Sequence, residues 1–172
     1  MFLSVKQLEL RKISFDKVFE AGQIEFAGED LELGSPLHVT GVAELLEETG
    51  GQLRVRGRYT VEILAQCHRC LARVRYPLAA EFDLFYRPAS DAPEEEEVKI
   101  GAQDADVGFY EDGLELEDIL REQILLALPM QRVCSETCKG ICPGCGKNRN
   151  ETACDCKPVV DDRWTALRNL EL

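Results

Sequence analysis

The clearest pattern along the chain is an alternation of apolar and polar residues between positions 37 and 86. It runs through LHVTGVAELLEE, LRVRGRYTVEILA and LARVRYPLAAEFDLFY. A period of two residues predicts three β-strands. Thr49-Gly50-Gly51-Gln52 predicts a hairpin turn between the first two strands, and CHRC lies between the second and third. Upstream, shorter strands are expected around Phe2 to Leu10 and Gln23 to Phe26.

A helical pattern follows near the middle of the second half of the chain. LELEDILREQILLAL repeats apolar residues at spacings of three and four, has acids at its start, and is followed by Pro129. DDRWTALRNL predicts a short second helix that begins at Asp162 and offers Trp164, Leu167 and Leu170 to a core. The predicted fold class is therefore α+β. An antiparallel sheet, with barrel-like closure as an alternative, packs against a helix and a small cysteine-rich C-terminal segment.

Three regions follow from this reading. Residues 1–87 form the β-rich region, residues 88–107 an acidic flexible connection, and residues 108–172 the helix, the cysteine-rich segment and the last helix, packed on the β region as one domain. The connection holds two prolines and few large apolar residues, as mobile segments do. Residues 81–122 carry 15 acids and 3 bases, which accounts for the whole net charge of −12. This stretch is either a solvated surface or a docking strip for a basic partner.

Composition and cysteine usage suggest a cytoplasmic protein. Hydrophobic residues make up 45% of the chain. No stretch approaches the roughly 20 apolar residues of a membrane helix, and the N-terminus does not read as a secretory signal, so no membrane partner is expected. Disulfides are rare in a reducing cytosol, so the 8 cysteines are expected to be metal ligands, redox thiols or buried apolar groups.

The hairpin around CHRC predicts a sheet with two unlike faces. If CHRC forms the tip, Leu64 lies opposite Arg73 and Glu62 opposite Arg75. One face then collects apolar side chains, namely Val55, Tyr59, Val61, Ile63, Val74, Tyr76 and Leu78. The other face, which we term the arginine face, carries Arg54, Arg56, Arg58, Arg73 and Arg75. These arginines either pair with acidic neighbours or bind RNA phosphates, for which guanidinium groups are well suited.

The cysteines occur as CHRC at 67–70 and as a group of six between 134 and 156. Cys142-Pro-Gly-Cys145-Gly has the spelling of a zinc knuckle, in which a tight turn presents two sulfurs to one metal. CHRC has the same spacing without the glycine. Eight thiols complete two four-sulfur sites, so one or two structural zinc ions are expected. The candidate ligands are Cys67, Cys70, Cys134, Cys138, Cys142, Cys145, Cys154 and Cys156.

Several groupings of these ligands stay open. The compact one joins Cys142, Cys145, Cys154 and Cys156 on one metal, and Cys67, Cys70, Cys134 and Cys138 on another. A second grouping exchanges the downstream pairs. The unusual Cys154-x-Cys156 spacing would allow one of these two not to ligate, and His68 is a weak substitute ligand. A thioredoxin-type redox role is disfavoured, because such a motif opens a helix in a βαβ unit. An iron–sulfur protein is a further alternative.

No catalytic constellation is recognised. The chain shows no phosphate-cradling glycine loop and no nucleophile elbow, and His38 and His68 have no reason to meet. We therefore expect a protein that is not an enzyme and has no small-molecule substrate.

Several motifs in one order resemble the YceD family, the bacterial and plastid large ribosomal RNA subunit accumulation proteins. They are CHRC between strands, ILLALP at the end of the helix, CKGICPGCGKNRN, and DDRWTALRNL, within roughly residues 36–172. The resemblance implies an accessory role in the synthesis, processing or stability of 23S ribosomal RNA and in large-subunit assembly. It transfers no catalytic residues.

The expected partner is ribosomal RNA, a basic ribosomal protein, or both. The five residues of the arginine face are the first RNA-binding candidates, and Arg69, Lys139, Lys147 and Arg149 extend the surface near the cysteines. The main alternative is a zinc-ribbon-like module that docks onto another protein through the acidic strip and never binds RNA.

Overall fold

The computed structural model describes residues 1–26, 30–47, 49–92 and 107–156. The helix predicted at 161–170 and residues 93–106 of the predicted acidic connection lie outside these ranges. The chain divides into two compact units. Among the described residues, the first unit comprises those within Met1–Ala65 and Arg75–Met130, and the second comprises Gln66–Val74 and residues 131–156.

The strands and helices follow one another with short connections. In chain order they are β1 (Phe2–Ser4), α1 (Val5–Leu8), β2 (Ile13–Phe19), β3 (Leu31–Leu33), β4 (Leu37–Leu45), β5 (Leu53–Gln66), β6 (Arg73–Pro88), a 3₁₀ turn (Ala89–Asp91), β7 (Val107–Tyr110), β8 (Gly113–Glu115) and α2 (Leu116–Ala127). The expectation of a strand at Gln23 to Phe26 is wrong, because Gln23 and Ile24 form a bend and the two residues after them have no regular secondary structure. In the stretch from Phe2 to Leu10, only β1 is a strand and α1 is helical.

The main sheet has six strands. Its order is β2-β4-β5-β6-β7, and β3 pairs with β5 beside this path. β2, β3 and β4 pair antiparallel with their neighbours, whereas β7 runs parallel to β6. The α+β class is confirmed, and the sheet is mostly antiparallel. Among the described strands the path is open, with β2 and β7 at its ends, so the barrel-like alternative is not observed.

The hairpin of β4 and β5 has the predicted strands and turn. Gly41 lies opposite Gly57 in the antiparallel register. A Cβ atom on Gly41 would lie 2.4 Å from the ring of Phe15, and one on Gly57 would lie 2.8 Å from the ring of Phe82. Glycine is therefore required at this pair, because two phenylalanine rings fill the space that side chains would take. Both rings are buried.

Helix α2 covers the apolar face of the sheet. Its inward side presents Leu116, Leu120 and Ile124, which are 0% exposed. Tyr59 of β5, 2% exposed, donates a hydrogen bond from its hydroxyl to the backbone carbonyl of Gln123 at 3.0 Å. The predicted helix is thus confirmed, and apolar burial and a partly buried hydrogen bond fix it to the sheet. In the described part of the chain, no helix is long and apolar enough to cross a membrane.

Candidate metal centre

The second unit gathers the eight cysteines into two groups. The first sulfur set is Cys67, Cys70, Cys134 and Cys138, and the second sulfur set is Cys142, Cys145, Cys154 and Cys156. Within each set, all four sulfur atoms lie within 4.8 Å of one another. None of the eight forms a disulfide. The structure therefore brings together the compact grouping, and it does not bring together the exchanged pairs.

The first sulfur set begins with a tight turn at the tip between β5 and β6. The Leu71 N–H donates to the Cys67 carbonyl at 2.9 Å, and the Cys67 N–H donates to the Ala72 carbonyl at 2.8 Å. Leu71 has a φ of 59°, in the left-handed region that glycine usually occupies. Leucine therefore adopts the conformation that the glycine of a zinc knuckle supplies.

The second sulfur set begins with a turn that has the same bonds at the same positions. The Gly146 N–H donates to the Cys142 carbonyl at 2.8 Å, and the Cys142 N–H donates to the Lys147 carbonyl at 2.8 Å. Gly146 has a φ of 71°. Each set thus contains one knuckle of equivalent backbone geometry, although only the second has the glycine spelling. The missing glycine is why CHRC gave the weaker sequence signal.

Backbone N–H groups around the first sulfur set favour thiolate at its knuckle cysteine. Burial raises the pKa of Cys67, but the N–H groups of Cys70, Arg69 and Cys134 outweigh burial and lower this pKa to about 6. The Cys134 N–H lies 3.3 Å from the Cys67 sulfur. The Ala72 N–H lowers the pKa of Cys70, yet burial and the Cys67 side chain raise it to about 12. The set therefore combines a ready thiolate with thiols that a cation would deprotonate.

The second sulfur set has the same electrostatic design. The N–H groups of Cys145 and Gly144, followed by the Cys154 side chain, lower the pKa of Cys142 to about 6. Hydrogen bonding to the side chains of Cys145 and Cys142 raises the pKa of Cys156 to about 12. A divalent cation between the sulfurs removes this conflict, because it stabilises all four as thiolates.

The sulfur geometry fits one tetrahedral ion in the first set. The Cys67 and Cys138 sulfurs are 3.9 Å apart, and those of Cys70 and Cys134 are 3.6 Å apart. Zn–S bonds of about 2.3 Å place tetrahedral sulfurs about 3.8 Å apart. Sulfurs this close leave no space for a cluster of several irons, which favours a single ion. His68 is exposed and belongs to neither set.

The two sets differ in access to solvent. In the first, only Cys134 is exposed, whereas in the second both Cys145 and Cys156 are exposed and only Cys142 is buried. We therefore expect a metal in the second set to exchange faster than one in the first.

The arginine face is a surface of mixed charge. Arg54 donates two hydrogen bonds to Asp83, at 2.7 and 2.5 Å, and Arg75 pairs with Glu62. The second pair joins the residues that the predicted hairpin register places opposite each other. The Arg54–Asp83 pair raises the pKa of Arg54 and lowers that of Asp83, mainly through the hydrogen bonds. Two of the five candidates are therefore already neutralised by acidic partners.

Arg56 and Arg58 are exposed and line an open groove of about 640 Å³ on the first unit. Three acidic residues line the same groove, namely Asp16, Glu81 and Asp83. The groove is thus less favourable for phosphate than the arginine pattern alone suggests. The fifth candidate, Arg73, is exposed and lies in the second unit.

The other RNA candidates all lie at the surface of the second unit. Arg69, Lys139, Lys147 and Arg149 are exposed. The Arg69 guanidinium donates to the carbonyls of Glu136 and Cys138 at 3.2 and 3.3 Å, which ties it to the first sulfur set. Lys139 and Lys147 each follow closely on a candidate ligand, so the cysteines and the basic groups share one small region.

Comparison with known proteins places this chain in a family. The family model described as "Large ribosomal RNA subunit accumulation protein YceD" matches residues 55–171. A Bacillus subtilis (strain 168) protein, "Uncharacterized protein YlbN", is 30% identical over 169 residues, which cover 95% of this chain and 91% of that protein.

Two further relatives are longer than this chain. The Zea mays "Large ribosomal RNA subunit accumulation protein YCED homolog 1, chloroplastic" is 28% identical over 63% of this chain, and the match spans 45% of the maize protein. The Mycobacterium bovis "Uncharacterized protein Mb2951c" is 28% identical over 71% of this chain and 57% of its own length. No solved structure matches. With a family model that covers well over half of its residues, from the second strand of the central hairpin to the C-terminal region, this chain belongs to the YceD family of large ribosomal RNA subunit accumulation proteins.

Proposed function

We propose that this protein is a non-enzymatic accessory factor in the cytoplasm that supports the synthesis, processing or stability of 23S ribosomal RNA. It holds structural zinc in the second unit and contacts ribosomal RNA through exposed basic side chains. The role in 23S ribosomal RNA is supported by membership of the family described as large ribosomal RNA subunit accumulation proteins. The proposed zinc and RNA binding are supported by one observation: two four-cysteine sets and exposed basic residues lie in the same compact unit.

Zinc is the metal that this donor set favours. Four thiolates without histidine or carboxylate form a closed tetrahedral shell, which is typical of structural rather than catalytic zinc. Such a shell leaves no open position for a water molecule or a substrate. This supports a role for the metal in shaping the second unit, and it agrees with the absence of a recognisable catalytic constellation in the sequence.

Charge in the second unit bears on how RNA would be bound. Its described residues include six basic and three acidic side chains. Two zinc ions, each with four thiolates, add a charge of about −4. The loaded unit is therefore close to neutral, and its basic groups partly balance the sulfurs. RNA contact here would depend on a few local phosphate contacts and would show a modest salt dependence.

The test separates the two candidate surfaces. One variant carries Arg56→Gln and Arg58→Gln on the first unit, and the other carries Lys139→Gln, Lys147→Gln and Arg149→Gln on the second. Binding to 23S ribosomal RNA fragments is measured across a salt series. Each lost phosphate contact is expected to lower the slope of log K against log salt by about 0.7–0.9.

Matched controls make the result readable. Arg75→Gln removes an exposed arginine that is already paired with Glu62, so it should leave the slope unchanged. Metal content and thermal melting are measured for every variant, because charges near the thiolates also affect metal binding. The double and triple variants are then compared with the parent protein. If both keep the fold, the metal content, the RNA affinity and the salt slope of the parent, the proposal that these residues contact RNA is wrong.

One observation favours the alternative in which the protein docks onto another protein. Leu126, near the end of α2, is 78% exposed, and Met130, three residues beyond the helix, is 99% exposed. Large exposed apolar groups are frequent where a partner protein binds. Crosslinking in cells, followed by identification of the attached RNA and proteins, distinguishes the two roles. Attachment to a protein without RNA would support the docking role.

A further inference from the structure

A hairpin within CKGICPGCGKNRN connects the two sulfur sets. It runs from Gly140 to Asn150 and carries Cys142 and Cys145 near its turn. An isolated antiparallel β-bridge between Ile141 and Asn148 joins its two sides. The Ile141 N–H donates to the Arg69 carbonyl at 2.9 Å, inside the CHRC knuckle of the first set. The hairpin that holds half of the second set is therefore hydrogen-bonded to the turn that holds half of the first.

Asn150, at the base of this hairpin, reaches a sulfur of the other set. Its side-chain Nδ2 lies 3.3 Å from the Cys138 sulfur and 2.8 Å from Oδ1 of Asn148. Its Oδ1 accepts the backbone N–H of Lys139 at 2.8 Å. Because a backbone N–H requires an acceptor, the oxygen must face Lys139 and the NH₂ group must face the sulfur. The amide orientation is thus fixed by its partners.

We propose that Asn150 is a positioning residue that orients the Cys138 sulfur toward the first metal site through an N–H···S hydrogen bond, and that it couples the two metal sites. This inference rests on the proposed metal binding by the cysteines. An N–H group donated to the sulfur of a metal ligand fixes the orientation of that ligand, and loss of such an outer partner typically weakens metal binding. The same side chain belongs to the hairpin of the second set. An ion in the second set therefore orders Asn150, and an ordered Asn150 strengthens the first set.

The chemistry of an amide suits this position. The two hydrogens of its NH₂ group are directed at Cys138 and Asn148, and its oxygen holds the Lys139 N–H, so every polar group is used. Aspartate would keep the acceptor for Lys139 but would lose the donor and place a negative charge against the sulfur. Asn150→Asp therefore removes the proposed function of the side chain and keeps its anchor to the backbone.

The experiment uses the full chain loaded with ¹¹³Cd, in which each occupied site gives its own nuclear magnetic resonance signal. Cys145→Ser, which removes a ligand from the second set, assigns the signals. Asn150→Asp is expected to shift the first-set signal and to lower the resistance of that site to a competing chelator by about 10–100-fold. Thr152→Asp adds the same charge two residues away at an exposed position and should leave the first-set signal in place.

Coupling is tested by combining the changes. Cys145→Ser alone should weaken the first set, and Asn150→Asp should have a smaller effect in that background than in the parent, because the hairpin is already disordered. Fully additive effects, or an Asn150→Asp protein that matches Thr152→Asp, would overturn this inference while leaving metal binding intact. A chain that takes up no metal would overturn the proposed metal role as well.

Discussion

Leu71 gives a direct test of the claim that the two knuckles are equivalent. A left-handed backbone conformation costs an L-residue roughly 1–2 kcal/mol. Glycine avoids this strain but loses about 0.5–1 kcal/mol through the entropy of the unfolded chain. Leu71 is 57% exposed, so its side chain contributes little burial. Leu71→Gly should therefore stabilise the second unit by between about zero and 1.5 kcal/mol, whereas Leu71→Val should destabilise it, because β-branched residues tolerate this region worst.

Metal affinity is the appropriate measurement, because in such units metal binding and folding are linked. A change of about 1.4 kcal/mol corresponds to a tenfold change in affinity. Competition with a chelator of known affinity should show that the metal affinity of the first set is highest in Leu71→Gly, lower in the parent and lowest in Leu71→Val. The fold of the first unit should not change, as judged by its thermal transition.

The reciprocal change at the second knuckle is the control. A Cβ atom on Gly146 would meet nothing within 4 Å, although φ is 71°. Gly146→Leu should therefore be tolerated, with a net loss of between about zero and 1.5 kcal/mol, because strain of roughly 1–2 kcal/mol is partly offset by about 0.5–1 kcal/mol of reduced entropy in the unfolded chain. If Leu71→Gly instead weakened metal binding more than tenfold, the leucine side chain would have a role of its own, and the argument from backbone strain would be wrong.

Three further predictions concern the metal and the core. Protein purified without chelator should contain up to two zinc ions per chain, and a metal content below about half an equivalent would contradict this prediction. Cys145→Ser should disorder the second sulfur set, whereas the sheet should persist. Tyr59→Phe should lower the free energy of unfolding in urea by about 1 kcal/mol, because it removes the partly buried hydrogen bond to the Gln123 carbonyl. An unchanged midpoint would argue against that bond. The hydrogen bond from Lys12, at 2.5 Å, lowers the pKa of Glu44 below its usual 4.5. Its contribution to stability should be complete above pH 4.5 and decline as the pH falls through the lowered value, and Glu44→Gln should abolish this part of the acid dependence.

The elements that local pattern determines could be read from the sequence. β4 and β5 alternate cleanly around Gly50-Gly51, and α2 repeats its apolar residues at helical spacing. β2 and β7 were not recognised, because they form by pairing with distant segments. β2 pairs with β4, and β7 joins β6 from beyond residue 106 in a parallel register. Long-range pairing of this kind depends on tertiary contacts, which short windows of sequence do not contain.

In the cysteine site, too, local pattern could be predicted from the sequence, whereas features that depend on tertiary contacts could not. Spacing identified the candidate ligands, but it left open their grouping, which depends on the position of the β5–β6 tip. The left-handed conformation of Leu71 has no sequence signal, because glycine is the usual residue at a positive φ. The arginine face was predicted from alternation, yet its ion pairs with Asp83 and Glu62 depend on cross-strand neighbours. Asn150 offered no spacing signal, since its role depends on reaching a sulfur twelve residues away.

The long separation within the first sulfur set has a consequence for synthesis of the chain. Cys70 and Cys134 are 64 residues apart. At about 5–20 residues per second, the ribosome needs roughly 3–13 s to add the second half of this set after the first. During that time Cys67 and Cys70 have no partners from their own set. The second set lies within residues 142–156, so its synthesis is complete within a few seconds at most, at roughly the same rate. The CHRC thiols are thus the ones most exposed to oxidants and foreign metals while the protein is being made.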